Sequence, residues 1–352
     1  MTTGLRIFGL FSFISLALFP ETKSEVRWEI LNPSDSIFLS CADRNSAELA
    51  IKESLSYLNR VTNPGEIVFG TRKLGAKETR QVLFSMSEIL KSCVKEERIP
   101  IGHNFDFVIG KDFPKSPSIT GYYDVEIKGS VMPKGEMVFP LLSPNKKKKE
   151  THQRAEIIES KKWETEQLIA YVDLFDLHLA QLEGSALLTM EDGNKFRLNY
   201  ESDNGHTYES PASKLLGVCA SLKPHKLREC SNSNLDLVRL AILKNPRFIF
   251  FTKEELATQN KFPFGSGGIR LIPERSLAMD KRIPLGTPVL ISFESFDTKR
   301  DNHLSFVHDR GSEIYGLDRV DFFFGIGNKY ADLANALKTK GHVIFILPKL
   351  EK

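Results

Sequence analysis

From Pro100 onward the chain consists of short apolar runs broken by glycine and proline, and this punctuation restricts its fold more than any other feature. Residues 105–109 and 136–142 are such runs, and apolar stretches of this length between turn formers are strands. Residues 186–200 form a hairpin, in which Asp192-Gly193 supplies the turn and Phe196, Leu198 and Tyr200 alternate beyond it. Three more strand-like runs lie at 269–272, 289–293 and 304–307, and a last one at 343–347. Before Pro100 the period is helical. Residues 45–60 carry Leu49, Leu55 and Leu58 on one side, with Asn45 and Glu48 spaced as a capping pair. Residues 77–94 put Val82, Met86, Ile89, Leu90 and Cys93 on one face. Helices are also expected at 235–244, stopped by Asn245-Pro246, and at 328–340, ended by Gly341. The fold class that follows is mainly β with flanking helices.

A length of 352 residues suits about two domains. Lys and Arg number 48 against 45 Asp and Glu, a balance that argues against nucleic acid as a partner. The lysine-rich tract 146–150 reads as a solvated loop. Residues 7–20 carry no charge after Arg6, a run too short for a spanning helix and the right length for the core of a signal peptide. An exported chain is expected, with a signal segment over 1–24; a buried N-terminal helix is the alternative. Export permits disulfides. Cys219 and Cys230 are spaced for a short closed loop around Pro224, and Cys41 and Cys93 sit on two expected helices, with free buried thiols as the other possibility.

Several chemistries can be set aside. HExxH, GxxxxGK[ST], GxSxG and CxxC are all absent, so neither a metal nor a cofactor is expected. Gly325-Ile326-Gly327 begins like a dinucleotide loop, but Tyr330 stands where the third glycine belongs. The informative carboxylates are Asp280, Asp309 and Asp321, each at the end of an apolar run and beside glycines that let a ligand approach the backbone. Asp321 precedes Phe322-Phe323-Phe324, an apolar setting expected to favour a protonated carboxyl. Capping of barrel turns is the plainer role for Asp280 and Asp309.

Five motifs in order resemble the MltA-type lytic murein transglycosylases. They are Thr120-Gly121-Tyr122-Tyr123; Asn204-Gly205-His206 with Tyr208; Asn245-Pro246 with Phe250-Phe251; Ser276 through Asp280; and Asp309 through Gly327. The resemblance covers roughly residues 40–348. It implies a double-psi β-barrel carrying three aspartates, a second β domain inserted into it, and a groove between them for a glycan strand. The implied division is 25–121 for the helical part and barrel start, 122–252 for the insert, and 253–352 for the rest of the barrel. By resemblance Asp321 is the essential acid, with Asp309 and Asp280 in support. Thr120, Gly121, Tyr122, Tyr123, Asn204, Gly205, His206 and Tyr208 are implied substrate-binding residues, together with Glu183, Gly184 and Ser185. The chain departs from the family at Glu183-Gly184-Ser185-Ala186, where Gln-Gly-Ser-Gly is usual. Further departures are Asp309-Arg310-Gly311-Ser312-Glu313-Ile314-Tyr315-Gly316, usually Asp-x-Gly-Gly-Ala-Ile-Lys-Gly, and Asp124, usually Glu.

The implied activity is cleavage of MurNAc–GlcNAc β-1,4 bonds in peptidoglycan, leaving 1,6-anhydromuramoyl ends. Expected partners are glycan strands and cell-wall enzyme complexes, for a monomer in the periplasm or at the outer membrane. Two alternatives share the fold. One is a peptidoglycan-binding protein without catalysis; the other is a hydrolase in which Glu313 or Asp309 activates water.

Overall fold

The computed structural model describes residues 27–350, except 32–36, 43, 95–96, 112–117, 162, 257–261, 295–298, 312–313 and 318. The expected signal segment lies outside the described residues, as does Glu313. The chain opens with β1 (Trp28–Leu31), β2 (Phe38–Ser40), α1 (Arg44–Arg60), the hairpin β3 (Ile67–Phe69) and β4 (Arg72–Leu74), α2 (Ala76–Lys91), β5 (Arg98–Pro100) and β6 (Phe105–Gly110). Next come β7 (Ser118–Ser130), β8 (Phe139–Leu142), α3 (Arg154–Ser160), β9 (Leu168–Val172), α4 (Leu174–Glu183), β10 (Ser185–Met190), β11 (Lys195–Asp203), α5 (Leu227–Leu243) and β12 (Ile249–Glu255). The last part holds β13 (Ser276–Met279), β14 (Pro288–Glu294), β15 (Lys299–Asp309), β16 (Arg319–Ile326), α6 (Ala331–Ala336) and β17 (Lys338–Pro348).

Strand pairing explains why these elements make two domains. β7, β16, β13, β15, β14 and β17 pair in that order, and β17 returns to pair with the start of β7, closing a barrel. This is the double-psi barrel with its inserted β domain. β6 and β1 extend it beyond β17. The insert is an open sheet in the order β8, β9, β7, β10, β11, β12. Strand β7 thus serves both: residues 118–124 pair with β16 in the barrel, and 125–129 pair with β10 in the insert. The barrel strands contribute Phe306, Phe322, Phe324 and Phe345 to the core, all buried.

The two N-terminal helices cover the barrel with the faces their sequences present. α1 buries Ala47, Ala50, Ile51 and Leu58, and α2 buries Val82, Leu83, Met86 and Leu90. Glu78 accepts from the Gly75 N–H at 3.0 Å and closes the start of α2. Asn45 is not the cap expected for α1, because the helix starts one residue earlier and Glu48 pairs with Arg44 at 2.7 Å.

Other expectations are corrected. Residues 269–272 form no strand; only an isolated bridge joins Arg270 to Phe264. The run at 136–142 is a strand only over Phe139–Leu142. α5 begins at Leu227, ahead of the expected 235, with a break at Asn234. The helix expected at 328–340 is limited to Ala331–Ala336, since Lys338 already pairs with Thr120 as β17 closes the barrel. Gly341 lies inside β17, where a Cβ would fall 2.4 Å from Ile119 and 2.5 Å from the Ser292 carbonyl.

Both cysteine pairs are bonded, Cys41 to Cys93 and Cys219 to Cys230. No free thiol is therefore expected when the denatured, unreduced protein is titrated with a thiol reagent. The short Cys219–Cys230 loop should contribute roughly 2–3 kcal/mol by restricting the unfolded chain.

Candidate active site

Register brings three of the singled-out residues onto one rung of the barrel. Ala278 of β13 stands opposite Asp309 of β15 on one side and opposite Asp321 of β16 on the other. Asp321 in turn stands opposite Thr120 of β7. The backbones of Asp309 and Asp321 are thus two strand spacings apart, roughly 9–10 Å. Ala278 is the residue of β13 between them. Thr120 Oγ1 donates to Asp321 Oδ1. Arg319, on the same face of β16, approaches that oxygen at 3.4 Å. The Asp321 side chain keeps 22% of its surface open to solvent, so a ligand can reach it.

Asp309 is held more tightly. Its Oδ1 accepts from the Ser266 N–H and Oγ, each at 2.9 Å, and from the Arg310 N–H at 2.8 Å. Tyr122 donates to its Oδ2 at 3.5 Å. Burial pushes the Asp309 carboxyl above its ordinary value, against the pull of these donors. Burial, then Asp309 and Asp321, push the Tyr122 phenol well above its ordinary value, so it stays protonated as a donor between the two acids.

The clamp on Asp309 depends on a glycine-rich turn. A Cβ at Gly265 would fall 2.6 Å from the His308 carbonyl, so only glycine lets this turn lie against β15. Arg60 of α1 pins the turn by donating to the Gly267 and Gly268 carbonyls, each at 2.6 Å. Beside Asp309, buried His308 is bridged by Ser54 at 2.9 Å and Ser276 at 2.8 Å, and burial holds it down at about 3. It is a neutral strut between α1 and the barrel. Sequence reasoning missed Ser266 and Arg319; the only signal was the Gly265-Ser266-Gly267-Gly268 cluster.

Asp280 stands apart from this row. Its carboxylate accepts from the Arg282 N–H, Nε and Nη2, each at 2.9 Å, and from the Gly316 N–H at 2.7 Å. It ties the turn after β13 to the loop joining Asp309 and Asp321. Hydrogen bonding from Arg282 outweighs burial and lowers its pKa to about 2. A carboxyl lowered on folding stabilises the fold above its unfolded pKa and loses that contribution as pH falls through the folded value. About 2 kcal/mol should therefore fade between about pH 4 and pH 2. Urea unfolding of Asp280→Asn against the parent should show the gap at pH 6 and its closure near pH 2.

The remaining candidates are distributed differently. All three phenylalanines are buried, Phe322 and Phe324 on one face of β16 and, by alternation, Phe323 on the Asp321 face, 5.1 Å from the Tyr122 ring. The expected apolar enclosure of Asp321 by three rings is absent. Gly121 is packing: a Cβ there would fall 2.6 Å from Phe324 and 2.9 Å from the Ala334 carbonyl. Tyr123 is buried on the opposite side of β7 from Tyr122. Asn204 is buried, donating to the His152 and Pro246 carbonyls at 2.8 Å each and accepting from the Phe248 N–H at 2.9 Å. Gly205 and His206 continue that turn, with His206 Nε2 on the Thr151 carbonyl at 2.8 Å. These residues brace the insert rather than join the row of acids.

Glu183 and Gly184 end α4, where Gly184 adopts a left-handed conformation (φ 75°). Ser185 donates to Asp124 at 2.9 Å, and Asp124 is paired with buried Arg197. Packing around the Glu183 carboxyl, and then Asp124, push it upward, a push that its exposure to solvent weakens. Tyr208 lies within electrostatic reach of Arg154 and Glu183.

Comparison with known proteins accords with this geometry. Residues 118–252 match the MltA-specific insert domain, and residues 275–347 match the 3D domain. A membrane-bound lytic murein transglycosylase A homolog of Buchnera aphidicola is 26% identical over 252 residues, 66% of this chain and 67% of its own length. The crystal structure of E. coli MltA with bound chitohexaose superposes with a TM-score of 0.70 at 20% identity, covering 93% of this chain and 96% of that one. A membrane-bound lytic murein transglycosylase of Agrobacterium tumefaciens gives a TM-score of 0.68 at 20% identity, over 92% and 98%.

Proposed function

Because this chain belongs to the MltA-type lytic transglycosylases, we propose that it cleaves MurNAc–GlcNAc β-1,4 bonds in peptidoglycan with Asp321 as the sole acid/base. The observation that carries this reading is the single rung in which a solvent-accessible Asp321 is flanked by Thr120 and, beyond Ala278, by the clamped Asp309. Asp321 donates its proton to the bridging oxygen as the bond to the anomeric carbon breaks. The muramic C6 hydroxyl then attacks that carbon, and its proton returns to Asp321. The products are a free GlcNAc hydroxyl and a 1,6-anhydro ring, with no water consumed. An internal nucleophile replaces the second carboxylate of ordinary glycosidases, so positioning supplies much of the rate.

The other groups support that step. Thr120 fixes one carboxyl oxygen of Asp321 and leaves the other for the substrate. Asp309, too tightly bonded to move, stabilises positive charge developing at the anomeric carbon. Tyr122 stays neutral between the two acids. Asp280 shapes the loop from Asp309 to Asp321 and does not touch the reacting bond. The family relationship supports an exported protein acting at the cell envelope, and no helix of the described residues is long and apolar enough to cross a membrane.

Mass spectrometry of a peptidoglycan digest tests the reading. Muropeptides ending in anhydro-muramic acid, lighter by one water than hydrolysed ends, are expected. Hydrolysed ends would instead make the protein a hydrolase, and an undigested substrate that still binds would make it a binding protein.

A further inference from the structure

A cleft of about 700 Å³ opens between the insert and the barrel, separate from the row of acids. The insert lines it with Glu126 and Lys128 of β7, with part of α4 and with residues 224–228; the barrel lines it with the turn after β16. Glu126 and Lys128 lie six and eight residues beyond Thr120, which puts the cleft roughly 20–26 Å along β7 from the acid. Ile326, at the end of the strand that carries Asp321, reaches its other wall.

The charges in this cleft are unevenly matched. Asp176 is paired with Arg228 at 2.6 Å, Asp332 with Lys226 at 3.5 Å, and Glu126 with Lys195 at 3.3 Å. Lys128 and Lys329 have no carboxylate partner among the described residues, though both line the cleft. Between these charges the floor is apolar, formed by Phe175, Leu179 and Pro224. The Arg228 guanidinium stacks 5.2 Å above the Phe175 ring and keeps it in place. A bare glycan strand carries only lactyl carboxylates held close to its sugar rings, and no apolar side chain for the floor. A short peptide ending in a carboxylate and carrying methyl side chains offers both.

We propose that this cleft holds the stem peptide of the peptidoglycan strand, its carboxylates on Lys128 and Lys329 and its alanine methyl groups on Leu179 and Pro224. The inference rests on the lytic transglycosylase reading above for the strand that bears the peptide. Since the peptide is covalently joined to the glycan in the groove, even weak contacts gain from its high local concentration. The cleft therefore selects peptide-bearing strands over bare ones.

The test uses two substrates, peptide-bearing glycan strands and the same strands stripped of peptide by an amidase. The full-length protein is compared with Lys128→Glu/Lys329→Glu and with Lys128→Arg/Lys329→Arg. The charge reversal should raise KM on peptide-bearing strands roughly tenfold, leave kcat unchanged, and match the parent on stripped strands. The arginine variant should keep the parent preference. Equal kinetics for the reversal and the parent on both substrates, or equal losses on both, would overturn the proposal. Calorimetric titration with a soluble disaccharide tetrapeptide provides an arm independent of turnover: the parent should bind it and the reversal should not. Binding without anhydro product would retain the peptide site and sink only the reaction assigned to Asp321. Anhydro product without binding would do the reverse.

Discussion

Asp321→Asn should melt like the parent, still bind glycan strands, and lose turnover by about 10²–10⁴-fold. The amide is nearly isosteric with the acid, and its oxygen can still accept from Thr120, so the β16–β7 rung has no reason to loosen. What it lacks is a proton to give to the bridging oxygen and a base to receive one from the C6 hydroxyl. Thr120→Val should give a smaller loss, because it removes the orienting hydrogen bond and leaves the acid. The comparison needs thermal melts, glycan pull-down and an anhydro-product assay on each variant. Wild-type release of anhydro-muropeptides by a normally folded Asp321→Asn protein would move the acid elsewhere.

Asp124→Leu and Arg197→Met, made singly, should each cost about 3–5 kcal/mol in urea unfolding, the largest stability losses expected from surface-distant single changes here. The two side chains are paired with 2% and 1% of their surfaces exposed. Removing either partner leaves a buried charge without compensation. The double variant should recover much of the loss, because an apolar pair carries no such penalty. Simple additivity in the double variant would show that the charges do not interact. The position explains why the effect reaches beyond the insert. The Gly327 N–H donates to the Asp124 carbonyl at 2.8 Å, and Ser185 donates to its carboxylate. The pair therefore sits where β16, which carries Asp321, the shared strand β7 and the insert sheet meet.

Much of the scaffold was legible because its signals are local. α1 and α2 announced themselves by apolar faces of helical period, and the β10–β11 hairpin by Asp192-Gly193 between alternating strands. The misreadings arose where distant strands decide. Residues 331–340 have helical composition, but the ladder between Lys338–Lys340 and Ser118–Thr120 outweighs that propensity. Three consecutive phenylalanines suggest an apolar pocket, yet a strand sends neighbours to opposite faces and turns two of them away from Asp321. Asp309 and Asp321 were singled out by their setting, whereas their alignment across Ala278 is a matter of register that no local pattern encodes. The same holds for Ser266, which bonds Asp309, and for Arg60, which holds the turn carrying Ser266, each from a segment far away in sequence.

The continuity of β7 sets a condition on any chimaera. The insert does not hang from the barrel by a pair of flexible connectors on this side; it is entered along an unbroken strand whose first half bears Thr120 and Tyr122 and whose second half bears Glu126 and Lys128. A donor domain spliced between these halves with one residue too many would turn every later side chain to the opposite face. Grafts at this junction should tolerate additions of two residues far better than additions of one.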